Sequence, residues 1–134
     1  MQKLNSILLV DDDEITNFVN ESVVKDLNVT NKVLLANNGK QALDMLTDKQ
    51  KIQPEEGPCL VLLDINMPVM DGFEFLEAYQ HLDEQIKNSV TIMMLTSSQN
   101  TNDISRAMKK NVAAFLTKPL DEEALENTLS KHFG

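Results

Sequence analysis

Five short runs of apolar residues recur along the chain, and a segment with helical periodicity follows each of them. The runs are continuous and do not alternate with polar residues, which is the pattern of strands buried on both faces of a parallel sheet. Strands that alternate with helices are typical of βαβ crossovers. We therefore predict an α/β fold, a doubly wound five-stranded parallel sheet with helices on both faces. The predicted strands are residues 7–10, 33–36, 60–63, 90–95 and 113–116.

The five predicted helices have apolar residues three or four positions apart, which gives each helix one face for the core. In the first helix this face comprises Ile15, Phe18, Val19, Val23 and Leu27. The corresponding residues are Ala42, Leu43 and Leu46 in the second helix, Phe75, Leu76, Tyr79 and Ile86 in the third, Ile104, Ala107 and Met108 in the fourth, and Leu120, Ala124, Leu125, Thr128 and Leu129 in the fifth. Residues 47–58 are polar and include two prolines and a glycine, which predicts a long loop.

The length and charge of the chain limit its class. Its 134 residues suit a single domain, 1–134. We expect no further effector domain in the given sequence, which is either a stand-alone protein, as its start at Met1 favours, or a domain cut from a longer protein. Hydrophobic residues make up 42% and charged residues 25%, which is typical of a globular protein. A net charge of −9 repels phosphate backbones and anionic lipids, so we expect no direct contact with nucleic acid or membrane.

The single cysteine, Cys59, has no partner for an internal disulfide, and the first residues lack the features of a signal peptide. Both observations favour a cytoplasmic location. Cys59 opens the third apolar run with no histidine nearby in the sequence, so we interpret it as a small buried hydrophobic residue.

Polar side chains stand at the carboxyl ends of the predicted strands, where ligands bind in doubly wound sheets. The first strand is followed by four acids at 11–14, the third by Asp64, the fourth by Thr96, and the fifth by Lys118 and Pro119. Because these ends meet at one edge of a parallel sheet, we expect carboxylates, a hydroxyl and an ammonium group to converge there.

The four acids after the first strand are not expected to share one role. Either Asp13 or Glu14 would cap the first helix, which leaves the two acids nearest the strand, Asp11 and Asp12, as site candidates. Clustering them with Asp64 brings like charges together, and a hard divalent cation would relieve the repulsion. Oxygen ligands without histidine or cysteine suit Mg²⁺ with retained waters and an incoming phosphate.

An aspartate nucleophile, a cation site, a hydroxyl and a lysine are together what the transfer of a phosphoryl group to a carboxylate needs. They allow in-line attack and stabilise the charge on the equatorial oxygens. Lys118 can pair with a carboxylate or hold a phosphoryl oxygen, and the proline after it fixes the backbone.

Four segments carry a resemblance to a known family: LLVDDDE, LLDINMPVMDG, MLTSS and FLTKP, in this order. Over essentially its whole length the chain resembles the receiver domain of two-component response regulators, of the chemotaxis-regulator type. The resemblance implies a flavodoxin-like sheet with strand order 2-1-3-4-5 and a role in phosphorelay signal transduction.

The resemblance also implies roles for individual residues. Asp64 would accept a phosphoryl group from a sensor histidine kinase or a histidine phosphotransfer protein. The other implied roles are phosphoryl binding by Thr96 and Lys118, Mg²⁺ binding by Asp11, Asp12, Asp64 and the main-chain carbonyl of Asn66, switching by Thr96 and Phe115, tuning of the phosphoryl lifetime by Asn66 and Ser98, and a cis peptide bond before Pro119.

In such a receiver the phosphoryl charge draws Thr96 towards it and leaves space into which Phe115 can turn, which biases a two-state surface. The resemblance places this surface on the fourth helix, fifth strand and fifth helix, where a downstream protein would bind. We expect a monomer or a weak homodimer. We expect no enzymatic activity beyond the chain's own phosphorylation and dephosphorylation.

Asp71 and Gly72 end the segment that contains Asp64, and we interpret both as turn residues. Aspartate suits the cap of the third helix, and glycine suits a backbone with positive φ before it. Met67 and Pro68 would shape the same loop.

Two alternative functions stay open. Phosphatases of the haloacid dehalogenase type also use an aspartate, Mg²⁺, a hydroxyl and a lysine, and VDDDEIT imitates their DxD motif with Asp11 as nucleophile. That alternative leaves Asp64 without a role. The second alternative is a receiver-like interaction module that is never phosphorylated.

Overall fold

The computed structural model describes residues 4–53, 56–65, 67, 69–96, 101–110 and 112–133. These residues form five strands and six helices. The strands are β1 (Ser6–Val10), β2 (Val33–Ala36), β3 (Cys59–Asp64), β4 (Val90–Thr96) and β5 (Ala114–Thr117). The helices are α1 (Glu14–Leu27), α2 (Gly39–Thr47), α3 (Gly72–Tyr79), α4 (Glu84–Ser89), α5 (Thr101–Met108) and α6 (Glu122–Phe133).

The strands form one parallel sheet in the order β2-β1-β3-β4-β5, which confirms the predicted fold and strand order. β3 lies at the centre, and all six of its residues are buried. Val10 pairs with Leu63, and Asp64 pairs with Leu95, so the carboxyl ends of β1, β3 and β4 are nearly level. Residues that follow these ends are therefore brought to one edge of the sheet.

Helices cover both faces of the sheet and close two apolar clusters. One cluster includes Leu46 of α2 and Phe75 of α3, and the other includes Val24 of α1 and Leu125 of α6. Cys59 lies in the first cluster and is 1% exposed, and burial raises the pKa of its thiol to about 11. Its interpretation as a small buried residue is therefore confirmed. None of the described helices combines the length and the apolar character that a membrane span requires.

The third predicted helix is in fact two helices, because α3 ends at Tyr79 and Ile86 belongs to α4. Asp83 precedes α4 with backbone angles of φ −54° and ψ 144°, which interrupt the helical path. The Tyr79 hydroxyl donates a hydrogen bond to the Lys87 carbonyl at 3.2 Å and so links α3 to α4. The periodicity indicates the buried side chains correctly but does not detect the break between the helices.

The predicted inner face of α1 is wrong for its first two turns. Ile15, Phe18 and Val19 are 74%, 69% and 45% exposed, whereas Asn17 and Val24 are buried. The physical reason is that the Asn17 side chain donates hydrogen bonds to two main-chain carbonyl groups at the top of the sheet. These bonds turn a polar residue inward and leave the apolar residues on the outer side of the helix.

The segment between α2 and β3 is described at residues 48–53 and 56–58. The Lys32 ammonium donates hydrogen bonds to the Lys51 carbonyl at 2.6 Å and to Gln53 Oε1 at 3.0 Å. Ile52 is 2% exposed and belongs to an apolar cluster. The described part of this polar segment is therefore anchored to the domain by Ile52 and Lys32, and also by Asn5, whose main-chain N–H donates a hydrogen bond to the Pro58 carbonyl at 2.8 Å.

Candidate functional site

A lysine lies between two buried carboxylates at the carboxyl edge of the sheet. Asp11 directly follows β1 and is 2% exposed, and Asp64 ends β3 and is 6% exposed. The Lys118 ammonium is 2.6 Å from Asp11 Oδ2 and 3.2 Å from Asp64 Oδ1. The structure thus brings together three of the residues that the sequence predicts for the site.

The charge on Lys118 is stabilised by this environment. Burial lowers the pKa of the lysine, but the hydrogen bond to Asp11 and the negative charges of Asp64 and Asp11 outweigh burial and raise the pKa above 10.5. The Lys118 main-chain N–H donates a hydrogen bond to the Thr96 carbonyl at 3.0 Å. The Lys118–Pro119 peptide bond is cis, as predicted.

The backbone that carries Asp11 is held by a residue that the sequence analysis does not single out. The Asn17 side-chain amide donates hydrogen bonds to the carbonyl groups of Asp11 at 3.0 Å and Ala36 at 3.2 Å. The Asp11 main-chain N–H also donates to the Ala36 carbonyl at 3.1 Å. The sequence signal that could have revealed this role is the spacing of Asn17, Asn20 and Val24. These residues are three and four positions apart, so they lie on one face of α1, which is the buried face and carries two polar residues.

Asp13 caps α1, and this confirms one of the two predicted caps. Its carboxylate accepts hydrogen bonds from the Ile15 main-chain N–H and the Thr16 hydroxyl, each at 3.0 Å. Both bonds lower the pKa of Asp13, and the bond from the Thr16 hydroxyl has the larger effect. The Asp13 main-chain N–H in turn donates to Asp11 Oδ1 at 3.0 Å. Asp13 is thus engaged in the helix start, and it orients the acid that faces the site.

Three carboxylates could share one cation. Oxygen atoms of Asp11, Asp12 and Asp64 lie within 4.8 Å of one another, and Asp12 is exposed. Two ligands on opposite sides of Mg²⁺ stand roughly 4 Å apart, and Mg²⁺ prefers carboxylates and water. The donor set therefore fits this ion, with the open side at Asp12 free for water.

The backbone after Asp64 is packed tightly against α3. The Gly72 N–H donates a hydrogen bond to the Ile65 carbonyl at 2.8 Å, and an added Cβ at Gly72 would lie 2.9 Å from the Asp64 carbonyl oxygen. The predicted cap is confirmed, since Asp71 and Glu74 form a reciprocal capping box.

The predicted positive φ at Gly72 is wrong, because Gly72 is the first residue of α3. The glycine is required by the close approach of α3 to the backbone of Asp64. Among the described residues of this loop, Val69 has a left-handed backbone, with φ 68°.

The remaining predicted site residues lie on β4 and β5 or outside the described residues. Thr96 ends β4 and is 3% exposed. Phe115 pairs with Met94 across β4 and β5, and its half-buried ring packs against the cluster that α2 and α3 cover. Asn66 and Ser98 are outside the described residues, so their roles stay predictions.

Comparisons with known proteins identify the family. The sequence model of the response regulator receiver domain matches residues 7–130. The transcriptional regulatory protein CitT of Halalkalibacterium halodurans is 28% identical over 98% of this chain, which spans only 54% of CitT. Sporulation initiation phosphotransferase F of Bacillus subtilis is 32% identical over 72% of this chain and 69% of its own length. A two-component response regulator structure from Cytophaga hutchinsonii has a TM-score of 0.85 and 28% identity, and covers 98% of both chains.

The matched region runs from the first strand into the last helix, and it includes every described residue of the acidic site. The same fold extends over almost the whole of the Cytophaga hutchinsonii chain. This chain belongs to the response regulator receiver domain family, whose members act in two-component phosphorelay signalling.

Proposed function

We propose that this receiver accepts a phosphoryl group on Asp64 from a sensor histidine kinase or a histidine phosphotransfer protein. The observation that carries the proposal is the Lys118 ammonium, which lies within 3.2 Å of both Asp11 and Asp64. A cation at this place can neutralise a phosphoryl oxygen as soon as that oxygen arrives beside Asp64.

In the proposed reaction an Asp64 carboxylate oxygen attacks the phosphorus of a phosphohistidine. A P–O bond forms, the P–N bond breaks, and the imidazole leaves with the electron pair of that bond and takes up a proton. Lys118 and the Thr96 hydroxyl would stabilise the charge on the equatorial phosphoryl oxygens. Hydrolysis of the acyl phosphate would return Asp64 to a carboxylate, and these two reactions would be the only ones the chain catalyses.

Asp11, Asp12 and Asp64 would hold Mg²⁺, together with the main-chain carbonyl of Asn66. The bound ion would offset the negative charges of the carboxylates and the incoming phosphoryl group. Asp11 is already oriented for this role, because the Asp13 main-chain N–H and Lys118 each bind one of its oxygens.

Phosphorylation would then act on a surface of α5, β5 and α6, which are the fourth helix, fifth strand and fifth helix of the sequence prediction. Thr96 would move towards the phosphoryl group, and the half-buried Phe115 would turn inward. A downstream protein would bind this surface in one of its two arrangements. We expect the unphosphorylated chain to be a monomer or a weak homodimer.

The exposed apolar face of α1 is the proposed contact for the phosphodonor protein. Ile15 and Val19 line a cavity of about 300 Å³ together with Lys118 and Pro119. A protein that brings a phosphohistidine to Lys118 and Asp64 would lie next to this face, because Lys118 lines the same cavity. Apolar residues with such exposure at the mouth of a site are typical of a protein contact.

The haloacid dehalogenase alternative is weaker because the chain matches the receiver domain family over residues 7–130. That alternative also leaves Asp64 without a role, although Asp64 lies beside Lys118 in the same site as Asp11.

Incubation with Mg²⁺ and acetyl phosphate, followed by intact mass measurement, tests the proposal. The wild type should gain one labile phosphoryl group, and chelation of Mg²⁺ should prevent the gain. Asp64→Asn should stay unmodified. The matched control is Asp83→Asn, because Asp83 is an exposed aspartate with no side-chain cap hydrogen bond.

A wild type that takes up no phosphoryl group would support the third function, an interaction module that is never phosphorylated. Continuous hydrolysis of phosphate esters would support the phosphatase.

A further inference from the structure

Two side-chain contacts join α3 to α5 and to the turn that directly follows α5 at Met108. The Arg106 guanidinium lies 4.0 Å from the centre of the Phe73 ring, and the Lys110 ammonium lies 3.2 Å from Glu77 Oε2. Phe73 and Glu77 are four residues apart, and so are Arg106 and Lys110. We call these two contacts the α3–α5 rungs.

The helix that carries one side of these two contacts, α3, begins close to the proposed phosphoacceptor, Asp64. Phe73 is 7% exposed and follows Gly72, whose backbone touches that of Asp64 and binds the Ile65 carbonyl. The capping box at the start of α3 holds this turn in place. Phe73 is therefore restrained by the turn next to Asp64.

The partners of these α3 residues lie on α5 or directly after it, and α5 is part of the surface that we propose to change on phosphorylation. α5 contributes Ala107, which is fully buried, to the cluster on this face, and Arg106 is exposed except where it covers Phe73. The Arg106 guanidinium over the Phe73 ring, and the ion pair of Lys110 just after the end of α5, add directional restraint between α3 and this segment.

We propose that Arg106 and Lys110 are positioning residues that hold α5 in its resting arrangement against α3. This inference rests on the proposed function. The structure contains the rungs together with the Lys118–Asp64 ion pair, and so it represents the unphosphorylated arrangement. Phosphorylation of Asp64 would rearrange this ion pair. Since the rungs stabilise one arrangement of α5, they lower the population of the other and weaken the response to a phosphoryl group.

The test is titration with beryllofluoride in the presence of Mg²⁺, by calorimetry on the full chain. Beryllofluoride is a tetrahedral analogue of the phosphoryl group on a carboxylate. Arg106→Gln should bind it about two- to fivefold more tightly than the wild type, the range that corresponds to an exposed cation–π contact. Lys110→Gln should change affinity in the same direction by a smaller factor, because its ion pair is exposed.

The matched control is Lys109→Gln, which removes the same charge from an exposed lysine that makes no ion pair with the described residues. Its affinity should equal that of the wild type. A double-mutant cycle with Phe73→Leu identifies the ring contact, since Arg106→Gln should have no further effect in that background.

The outcomes separate this inference from the proposed function. A wild type that does not bind beryllofluoride contradicts the proposed function itself. A wild type that binds, with Arg106→Gln and Lys110→Gln binding equally or more weakly, overturns the positioning role. A lower stability in urea without any change in beryllofluoride affinity would also overturn it, because the rungs would then be purely structural.

Discussion

Lys118 carries its charge between two carboxylates that are almost fully buried. Lys118→Met would leave both carboxylates without this cation, and we expect the free energy of unfolding at neutral pH to fall by about 2 kcal/mol. Lys118→Arg keeps the charge and should lose less. Urea denaturation of the three proteins measures the difference.

The pH dependence of that difference gives a second check. The pKa of Lys118 is raised in the folded protein, so its stabilisation is complete below the unfolded value of 10.5 and is lost as pH rises through the folded value. The stability gap between wild type and Lys118→Met should therefore stay constant from neutral pH towards 10.5 and shrink above it. A gap that does not shrink in strong alkali would contradict the ion pair as its source.

Gly72 is required by the short distance between α3 and the end of β3 at Asp64. In Gly72→Ala the new Cβ would meet main-chain atoms of Asp64 and Ile65 at 2.9 and 3.0 Å. We expect a loss of about 2 kcal/mol in the free energy of unfolding and slower phosphorylation by acetyl phosphate. In Gly39→Ala, the comparison variant, the closest atoms belong to the flexible Met70 side chain. An equal loss in both variants would contradict the backbone contact as the cause.

Val69 has a backbone conformation that β-branched residues rarely adopt. Its φ is 68° and its side chain is 78% exposed, so the conformation is strained and little packing offsets the strain. Val69→Asn should raise the free energy of unfolding by about 1 kcal/mol, because asparagine tolerates the left-handed region. Thermal unfolding measures this gain, and a loss of stability would show that Val69 makes contacts that outweigh its strain.

At the scale of the elements, α1 has a structural face and an exposed face. Val24→Ala should lower the free energy of unfolding by about 2 kcal/mol, since Val24 is fully buried. Val19→Ala should change it by less than about 0.5 kcal/mol.

Phe18→Ser should leave phosphorylation by acetyl phosphate unchanged but slow transfer from a phosphorylated histidine phosphotransfer protein that is active on the wild type. Equal rates with that protein donor would contradict the docking face.

The strands follow the sequence patterns closely, whereas two of the helices do not. Continuous apolar runs predict all five strands to within a residue or two. The reason is clearest for the three inner strands β1, β3 and β4, which are almost wholly buried and are therefore mostly apolar. Periodicity fails on α1, where hydrogen bonds from Asn17 decide which face turns inward. It also fails at the end of α3, where the turn before Asp83 depends on contacts of Tyr79 with α4 and β4.

At the scale of the whole molecule, the strand order brings distant parts of the chain to one site. Asp11 and Lys118 are separated by most of the sequence, yet the parallel sheet places their charged atoms 2.6 Å apart. This meeting is predictable because strand ends are recognisable and parallel strands share one edge. The support from Asn17 and the α3–α5 rungs are not predictable in this way, since each depends on how helices are rotated against the sheet.

The most direct test of the central claim is to identify the aspartate that carries the phosphoryl group. After incubation with Mg²⁺ and acetyl phosphate, borohydride reduces an aspartyl phosphate to homoserine, and peptide mass spectrometry locates the reduced residue. We predict homoserine at position 64 and not at 11 or 12. Homoserine at position 11, or at none of the aspartates, would contradict Asp64 as the phosphoacceptor.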